Sequence, residues 1–264
     1  MKKILYFASI LLLLVSCKNP PITLENSPVY PSPPTSDYKL VWTDDFNGKT
    51  LDMKKWGYRI IGSRRQGWNS QKSIIIDTIS HNLIIRNVMR NDTAFTGMIG
   101  TQDKFEQKYG FFEIRAKVPT ATKGYWPAFW LQSPLIGNTL NPVESGTEID
   151  VMEFIDGDPT KVNHAVHWNG YGANVQSKTW ETVSNTFLDN GFHTYALEWS
   201  PKFYKFYIDS HLVWTVNEPI SATKQYIILS CEIGDKRLFK EKFGNQSADF
   251  VIDYVKVYEW AGQQ

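Results

Sequence analysis

From residue 38 almost to the C-terminus, apolar and polar positions alternate with period two or merge into short β-branched and aromatic runs. This pattern predicts strands over 73–79, 82–87, 110–118, 126–132 and 148–155. It predicts further strands over 162–168, 193–199, 202–209, 226–231 and 250–258. Gly, Asn, Asp and Pro punctuate the runs, and Ile208-Asp209-Ser210-His211-Leu212 reads as a hairpin turn. No long stretch carries a helical period. Many strands without helices predict an all-β fold, a two-sheet sandwich or jelly roll. One curved sheet of such a fold can offer a long polymer a concave face.

The first residues break the pattern. Met1-Lys2-Lys3 is followed by an apolar run from Ile4 to Val15, too short to span a membrane and suited to a signal peptide. It ends in Leu14-Val15-Ser16-Cys17, which resembles a bacterial lipobox. Cys17 is then the expected lipidation site, and the expected location is the cell envelope of a Gram-negative bacterium, on the outer membrane surface or the periplasmic side. The membrane is contacted through that anchor only. Residues 18–37, with Asn19-Pro20-Pro21 and Pro31-Ser32-Pro33-Pro34, read as an exposed, semi-rigid tether. The expected organisation is a signal peptide over 1–17, a tether over 18–37 and one globular domain over 38–264.

Composition adds little. The 264 residues carry a formal net charge of +1, which gives no electrostatic reason to expect nucleic acid. Ten Trp, 13 Tyr and 15 Phe can fill a β core or line a sugar-binding groove. With Cys17 lipidated, Cys231 has no intrachain partner, and its apolar run predicts a buried, inert thiol. The five His show no metal-ligand spacing, so no catalytic zinc is expected. A monomer is expected.

The chemistry concentrates in Glu148-Ile149-Asp150-Val151-Met152-Glu153-Phe154. Acids are poor strand formers, so three of them inside an apolar run need a reason. Glu148 and Asp150 share a face by alternation. Glu153 stands five residues from Glu148, an odd offset that turns it toward the core of a regular strand. One bulge around Val151-Met152 returns it to the shared face. Two carboxyls on one face suit glycoside hydrolysis: about 5–5.5 Å apart for retention, about 6.5–9.5 Å for inversion. In such a group Asp150 hydrogen-bonds the nucleophile, and the charges of Asp150 and Glu148 raise the pKa of Glu153.

The segment Glu-Ile-Asp-Val-Met-Glu-Phe resembles the signature of glycoside hydrolase family 16, in its bulged laminarinase and agarase branch. Tyr109-Gly110-Phe111-Phe112-Glu113-Ile114-Arg115, Trp126-Pro127-Ala128-Phe129-Trp130-Leu131, Phe192 to Trp199, Val251 to Tyr258 and Trp42 to Gly48 resemble other strands of that family, in order. The resemblance covers nearly all of 38–260. It implies a β-jelly roll with an open cleft and retaining endo-hydrolysis of a β-linked polysaccharide or glycan. Glu148 is then the nucleophile, Asp150 its helper and Glu153 the acid/base. Trp126 and Trp130 are the expected sugar-stacking residues on the glycone side, with Trp68 and Asn69 bordering its far end. His167 is expected near the acid/base and Trp168 under the leaving-group side. No cofactor is required; a structural calcium at Asp253 is implied.

The sugar is less legible. Laminarinase-like members carry Gly-Asn-Asn-Glu where this chain has Asn69-Ser70-Gln71-Lys72, and Ser-Gly-Arg where it has Thr96-Gly97-Met98. Leu229-Ser230-Cys231-Glu232 resembles agarase-side members, and Glu232 could accept a hydrogen bond from an axial galactose hydroxyl. The reading therefore leans to β-galactosyl linkages in poly-N-acetyllactosamine chains, as on mucin O-glycans or keratan. The alternatives are an endo-β-1,3(4)-glucanase and a non-catalytic carbohydrate-binding surface lipoprotein.

Overall fold

The structure is a computed structural model and describes residues 23–119, 124–155, 158–186, 188–189 and 191–262. The signal segment and Cys17 lie outside the described residues.

In chain order the first strands are β1 (Tyr38–Asp44), β2 (Gly57–Tyr58), β3 (Gly62–Arg64), β4 (Gly67–Asn69), β5 (Ile74–Asp77), β6 (Asn82–Arg90) and β7 (Thr93–Gly100). Then follow β8 (Gly110–Lys117), β9 (Tyr125–Gln132), β10 (Glu148–Glu153), β11 (Lys161–Trp168) and β12 (Gln176–Val183). The last are β13 (His193–Trp199), β14 (Tyr204–Ile208), β15 (His211–Val216), β16 (Tyr226–Ile233) and β17 (Ala248–Trp260).

One antiparallel sheet runs β2–β7–β16–β9–β10–β11–β12 and carries the cleft. The outer sheet runs β15–β14–β13–β8–β17. Strand β17 continues into β6 and β5 along its first half and into β1 along its second. The β6–β7 hairpin carries pairing from one sheet to the other. The architecture is the expected all-β jelly roll. Phe129, Leu131, Ile149 and Leu229 from the cleft sheet meet Phe112, Ile114, Leu197 and Val257 from the outer sheet, all fully buried. Each such side chain contributes about 1.5–3 kcal/mol of burial free energy. The hairpin turn falls as expected, with Asp209 at φ 47° and Ser210 at φ 68°, the left-handed pair that matches strand twist.

Three features depart from expectation. Strands β1, β2, β3, β4, β7, β12 and β15 are absent from the predicted runs, and the longest of them are β7 and β12. Strand β7 is rich in glycine because its neighbours press close: a Cβ on Gly97 would lie 2.6 Å from Ile74 Cδ1. Strand β12 is an edge strand with a largely exposed, polar first half. A helix also forms over Lys236–Phe243, where Asp235 caps the Leu238 N–H at 2.9 Å and Phe239 alone is buried. A single apolar anchor leaves little helical period to read.

The third departure corrects the tether. From Thr23 onward the segment read as an exposed spacer is docked on the domain. Thr23 bridges to Val183, Val29 to His211, and Leu24 is buried. Glu25 accepts hydrogen bonds from Ser184 Oγ and the Asn185 N–H, and Ser32 donates to Glu113. Proline content makes this segment stiff, but it still finds partners on the outer sheet and at the end of β12.

Candidate active site

The cleft is a groove of about 1270 Å³ across the middle of the seven-stranded sheet. Alternation builds its floor. On β9, Trp126, Ala128, Trp130 and Gln132 face the groove, while Tyr125, Phe129 and Leu131 face the core. On β16, Ser230 and Glu232 face the groove, while Leu229, Cys231 and Ile233 face the core. Cys231 is the buried free thiol expected.

The decisive irregularity is in β10. Its pairing with β11 slips between Asp150 and Glu153, and its pairing with β9 slips between Asp150 and Met152. The bulge lies where the odd offset of the acids demanded it. Glu148, Asp150 and Glu153 all line the groove, and Val151 and Met152 are buried in the core. His164 pins the bulge from β11. Its Nδ1 bonds the Val151 carbonyl at 2.7 Å and its Nε2 meets Thr182 Oγ1 at 3.0 Å. Burial pushes the His164 pKa down to about 4, so the ring is neutral, with Nδ1 as donor to the carbonyl. The strand is entered through Gly146, at φ 76°, where a Cβ would lie 2.3 Å from Ser133 Cβ.

Each acid has a distinct environment. Glu148 Oε2 accepts from Gln132 Nε2 at 3.1 Å and from the Tyr171 hydroxyl. Burial raises its pKa, while the Tyr171 hydrogen bond, the His167 charge, the Gln132 hydrogen bond and the Arg64 charge oppose that rise. Asp150 is raised well above the carboxylate range by burial and then by the charge of Glu148. Its Oδ2 lies 3.2 Å from His167 Nε2. Glu148, Asp150 and His167 thus have ligand atoms within 4.8 Å of one another. Glu153 is raised well above its usual value by burial and then by the charge of Asp150, against a hydrogen bond from Trp126 Nε1 at 2.8 Å. Negative charge is therefore best held on Glu148, which has two neutral donors, while Glu153 keeps its proton.

The other expected residues divide. Trp126 lines the groove, but the Arg65 guanidinium lies over its ring at 4.3 Å and takes one face. Trp130 forms a nearly buried part of the wall, bonded through Nε1 to Ser230 Oγ at 3.0 Å. His167 is in the groove, facing Asp150 and directly across the ladder from Glu148 rather than Glu153. Trp168 is corrected: strand alternation turns it away from His167 to pack against the core. Asn69 is also corrected, since it does not line the groove. Trp68 is exposed beside it and Asn69 is fully buried. The nearby Arg59, Ile60, Arg64 and Arg65 line the groove there.

Glu232 lines the groove as expected, yet both its oxygens are occupied. Arg64 Nε donates to Oε1 at 2.7 Å and Arg65 Nε donates to Oε2. It is a paired carboxylate and not a lone acceptor for an axial hydroxyl. Asp253 does not fit a calcium ion, because its carboxylate is paired with a cation already present, Arg115 Nη1 donating to its Oδ2 at 2.6 Å. Gln132 and Ser230 were within reach of the sequence, since each stands two residues from an expected groove residue on the same strand face. Tyr171, His164 and the three arginines carried no such signal.

A model of the glycosyl hydrolases family 16 matches residues 60–236. The chain is 27% identical over 254 residues to a β-glucanase of Rhodothermus marinus, a match spanning 84% of this chain and 86% of that one. It is 30% identical over 242 residues to a keratan-sulfate endo-1,4-β-galactosidase of Sphingobacterium multivorum, spanning 85% of this chain and 56% of the relative. A solved structure from work on endo-acting O-glycanases that members of the human gut microbiota express to initiate mucin breakdown superposes with a TM-score of 0.71. That chain is 25% identical, with 85% of this chain and 92% of the other covered.

Proposed function

Because the chain belongs to glycoside hydrolase family 16 and is an endo-acting glycoside hydrolase, we propose that it cleaves β-galactosyl linkages inside poly-N-acetyllactosamine-type glycans, with retention at the anomeric carbon. The bulge that brings Glu148, Asp150 and Glu153 into one groove carries the mechanistic part. Glu153, protonated in the resting state, gives its proton to the glycosidic oxygen as that bond breaks. Glu148 attacks the anomeric carbon through Oε1, the oxygen that holds no hydrogen bond, and a glycosyl–enzyme ester forms. Glu153, now a carboxylate, takes a proton from water, which attacks the same carbon and releases Glu148. One water is consumed per linkage cut.

The galactosyl preference is supported by the keratan-sulfate relative and the mucin O-glycanase neighbour together. A second reading, an endo-β-glucanase, is favoured by the match over 86% of the Rhodothermus β-glucanase. The test is incubation of the protein and its Glu148→Gln variant with keratan, mucin O-glycans, agarose, laminarin and mixed-linkage glucan. Galactose-terminated oligosaccharides from keratan or mucin, absent with the variant, are expected. Glucose oligosaccharides would overturn the galactosyl reading, and full activity in the variant would overturn the nucleophile.

The anchor is proposed on the same footing. Cys17 holds the domain at the cell envelope, six residues before the first docked residue, Thr23. At about 3.3–3.6 Å per residue such a segment keeps the domain within about 20 Å of its lipid. Cys17→Ala should release the protein from membranes, and a variant still membrane-bound would refute the anchor.

A further inference from the structure

The wall of the groove beyond β9 carries a surplus of positive charge. Arg59, Arg64 and Arg65 line it, and the only carboxylate there among the described lining residues is Glu232. On that wall three guanidiniums stand against one carboxylate, with Arg64 also acting on the charge of Glu148 across the groove. Glu232 is bonded through the Nε of both Arg64 and Arg65, and their Nη groups make no hydrogen bond among the described residues. The carboxylate thus aims two forks without using their tips. Arg59 contacts only neutral oxygens. Its Nη1 donates to Gln102 Oε1 at 2.6 Å, and its Nη2 to Gln132 Oε1 at 3.4 Å and the Tyr226 hydroxyl at 3.2 Å. Its guanidinium lies 4.8 Å from the Tyr226 ring centre, and its Nε is buried without a partner. Glu106, whose charge reaches Tyr226, does not line the groove.

The backbone that presents these side chains is held in a rare conformation. Ile60 has φ 44° and Arg65 has φ 49°, left-handed values for a β-branched and a long side chain. Such strain persists only where surrounding contacts impose it, and it concentrates at ligand sites. A neutral sugar hydroxyl offers a guanidinium one acceptor oxygen and no charge. An oxyanion offers several acceptor oxygens and forms bidentate, charge-assisted hydrogen bonds.

We propose that Arg59, Arg64 and Arg65 form a subsite for an anionic substituent, a sulfate ester or a carboxylate, on the glycan this enzyme cuts. The proposal rests on the glycosidase reading above and adds to it. Arg64 lines the same groove as Glu148, Asp150 and Glu153, so the charged substituent lies in the cleft that holds the acids. Arg65 over Trp126 replaces part of an aromatic stacking surface with a cation, which exchanges affinity for a bare sugar face for affinity for charge.

The test compares kcat/KM on matched substrates: keratan sulfate against chemically desulfated keratan, and sialylated against desialylated poly-N-acetyllactosamine. The expected result is at least a tenfold preference for the anionic member of one pair, decreasing as sodium chloride rises. The pair that shows it identifies sulfate or carboxylate. In Arg64→Gln/Arg65→Gln/Glu232→Gln, which removes the buried carboxylate together with its partners, that ratio should fall toward one, and Arg59→Gln should lower it further. Cleavage of both members at equal rates overturns the subsite and leaves the glycosidase reading standing. Unchanged preference in the triple variant also overturns it. Failure to cut any member, with no binding by Glu148→Gln, overturns both.

Discussion

Two groups of buried acids sit on opposite sheets and are treated in opposite ways. On the outer sheet Glu113 and Glu198 are nearly inaccessible. All four of their carboxylate oxygens accept a hydroxyl. Glu113 takes Ser32 and Tyr254, and Glu198 takes Tyr38 at 3.0 Å and Tyr207 at 2.8 Å, with Lys205 3.8 Å away. In the groove, Glu148, Asp150 and Glu153 each leave one oxygen without a hydrogen bond, and the charge of a neighbouring acid raises both Asp150 and Glu153. Burial is common to both groups and so does not mark the site. An incomplete donor set beside a second acid does. The outer acids are structural because their charge is fully solvated by protein, whereas the groove acids keep lone pairs for substrate.

The comparison breaks most visibly at Glu153. Glu153→Gln should cut kcat by about 10²–10⁴-fold on substrates with poor leaving groups. It should also stabilise the fold at neutral pH. The folded-state pKa of Glu153 is raised, so native protein holds a proton that unfolded chain has released above about pH 4.3, and stability falls as pH rises through that window. Thermal unfolding at neutral pH should give a higher Tm for the variant, and the gain should vanish below about pH 4. A lower Tm at neutral pH would show that Glu153 is solvated like the outer acids.

Asp150→Asn sharpens the same point. It removes a charge that raises Glu153, so the alkaline limb of the pH–rate profile should move to lower pH. An unmoved limb would mean that burial alone holds the proton. Tyr171→Phe removes one of two donors to Glu148 Oε2. A hydrogen bond to a charged group is worth about 1.5–3 kcal/mol, so kcat should fall about tenfold or more with folding unchanged. Equal kcat would show that Gln132 suffices. On the other sheet, Glu198→Gln should leave kcat intact and cost about 1–2 kcal/mol, read as a Tm lower by about 2–8 °C. Lost activity with unchanged Tm would erase the distinction between the two groups.

Much of the groove was legible because strand geometry is local. The alternation of Trp126, Ala128 and Trp130 against Tyr125, Phe129 and Leu131 assigns faces without knowledge of any partner strand. The five-residue offset of Glu148 and Glu153 required a bulge, and the bulge is there. The same rule, applied one residue further, would have placed Trp168 opposite His167 and so in the core. Asn69 was misassigned for a different reason. It stands in a short strand at the groove's margin, where the turn between β3 and β4, and not period two, decides which side chain reaches inward.

The sequence by itself determined most of the longer strands, the faces of β9, β10 and β16 and the position of the acids, because each follows from the spacing of neighbouring residues. Only the tertiary structure decided what surrounds those acids. Arg64 meets Glu232 across a separation of 168 residues, Tyr171 reaches Glu148 from the loop after β11, and Ser32 folds back to close over Glu113. These contacts depend on where long loops and a docked terminal segment come to rest. That is set by the packing of the whole sandwich and leaves no period in the chain to read.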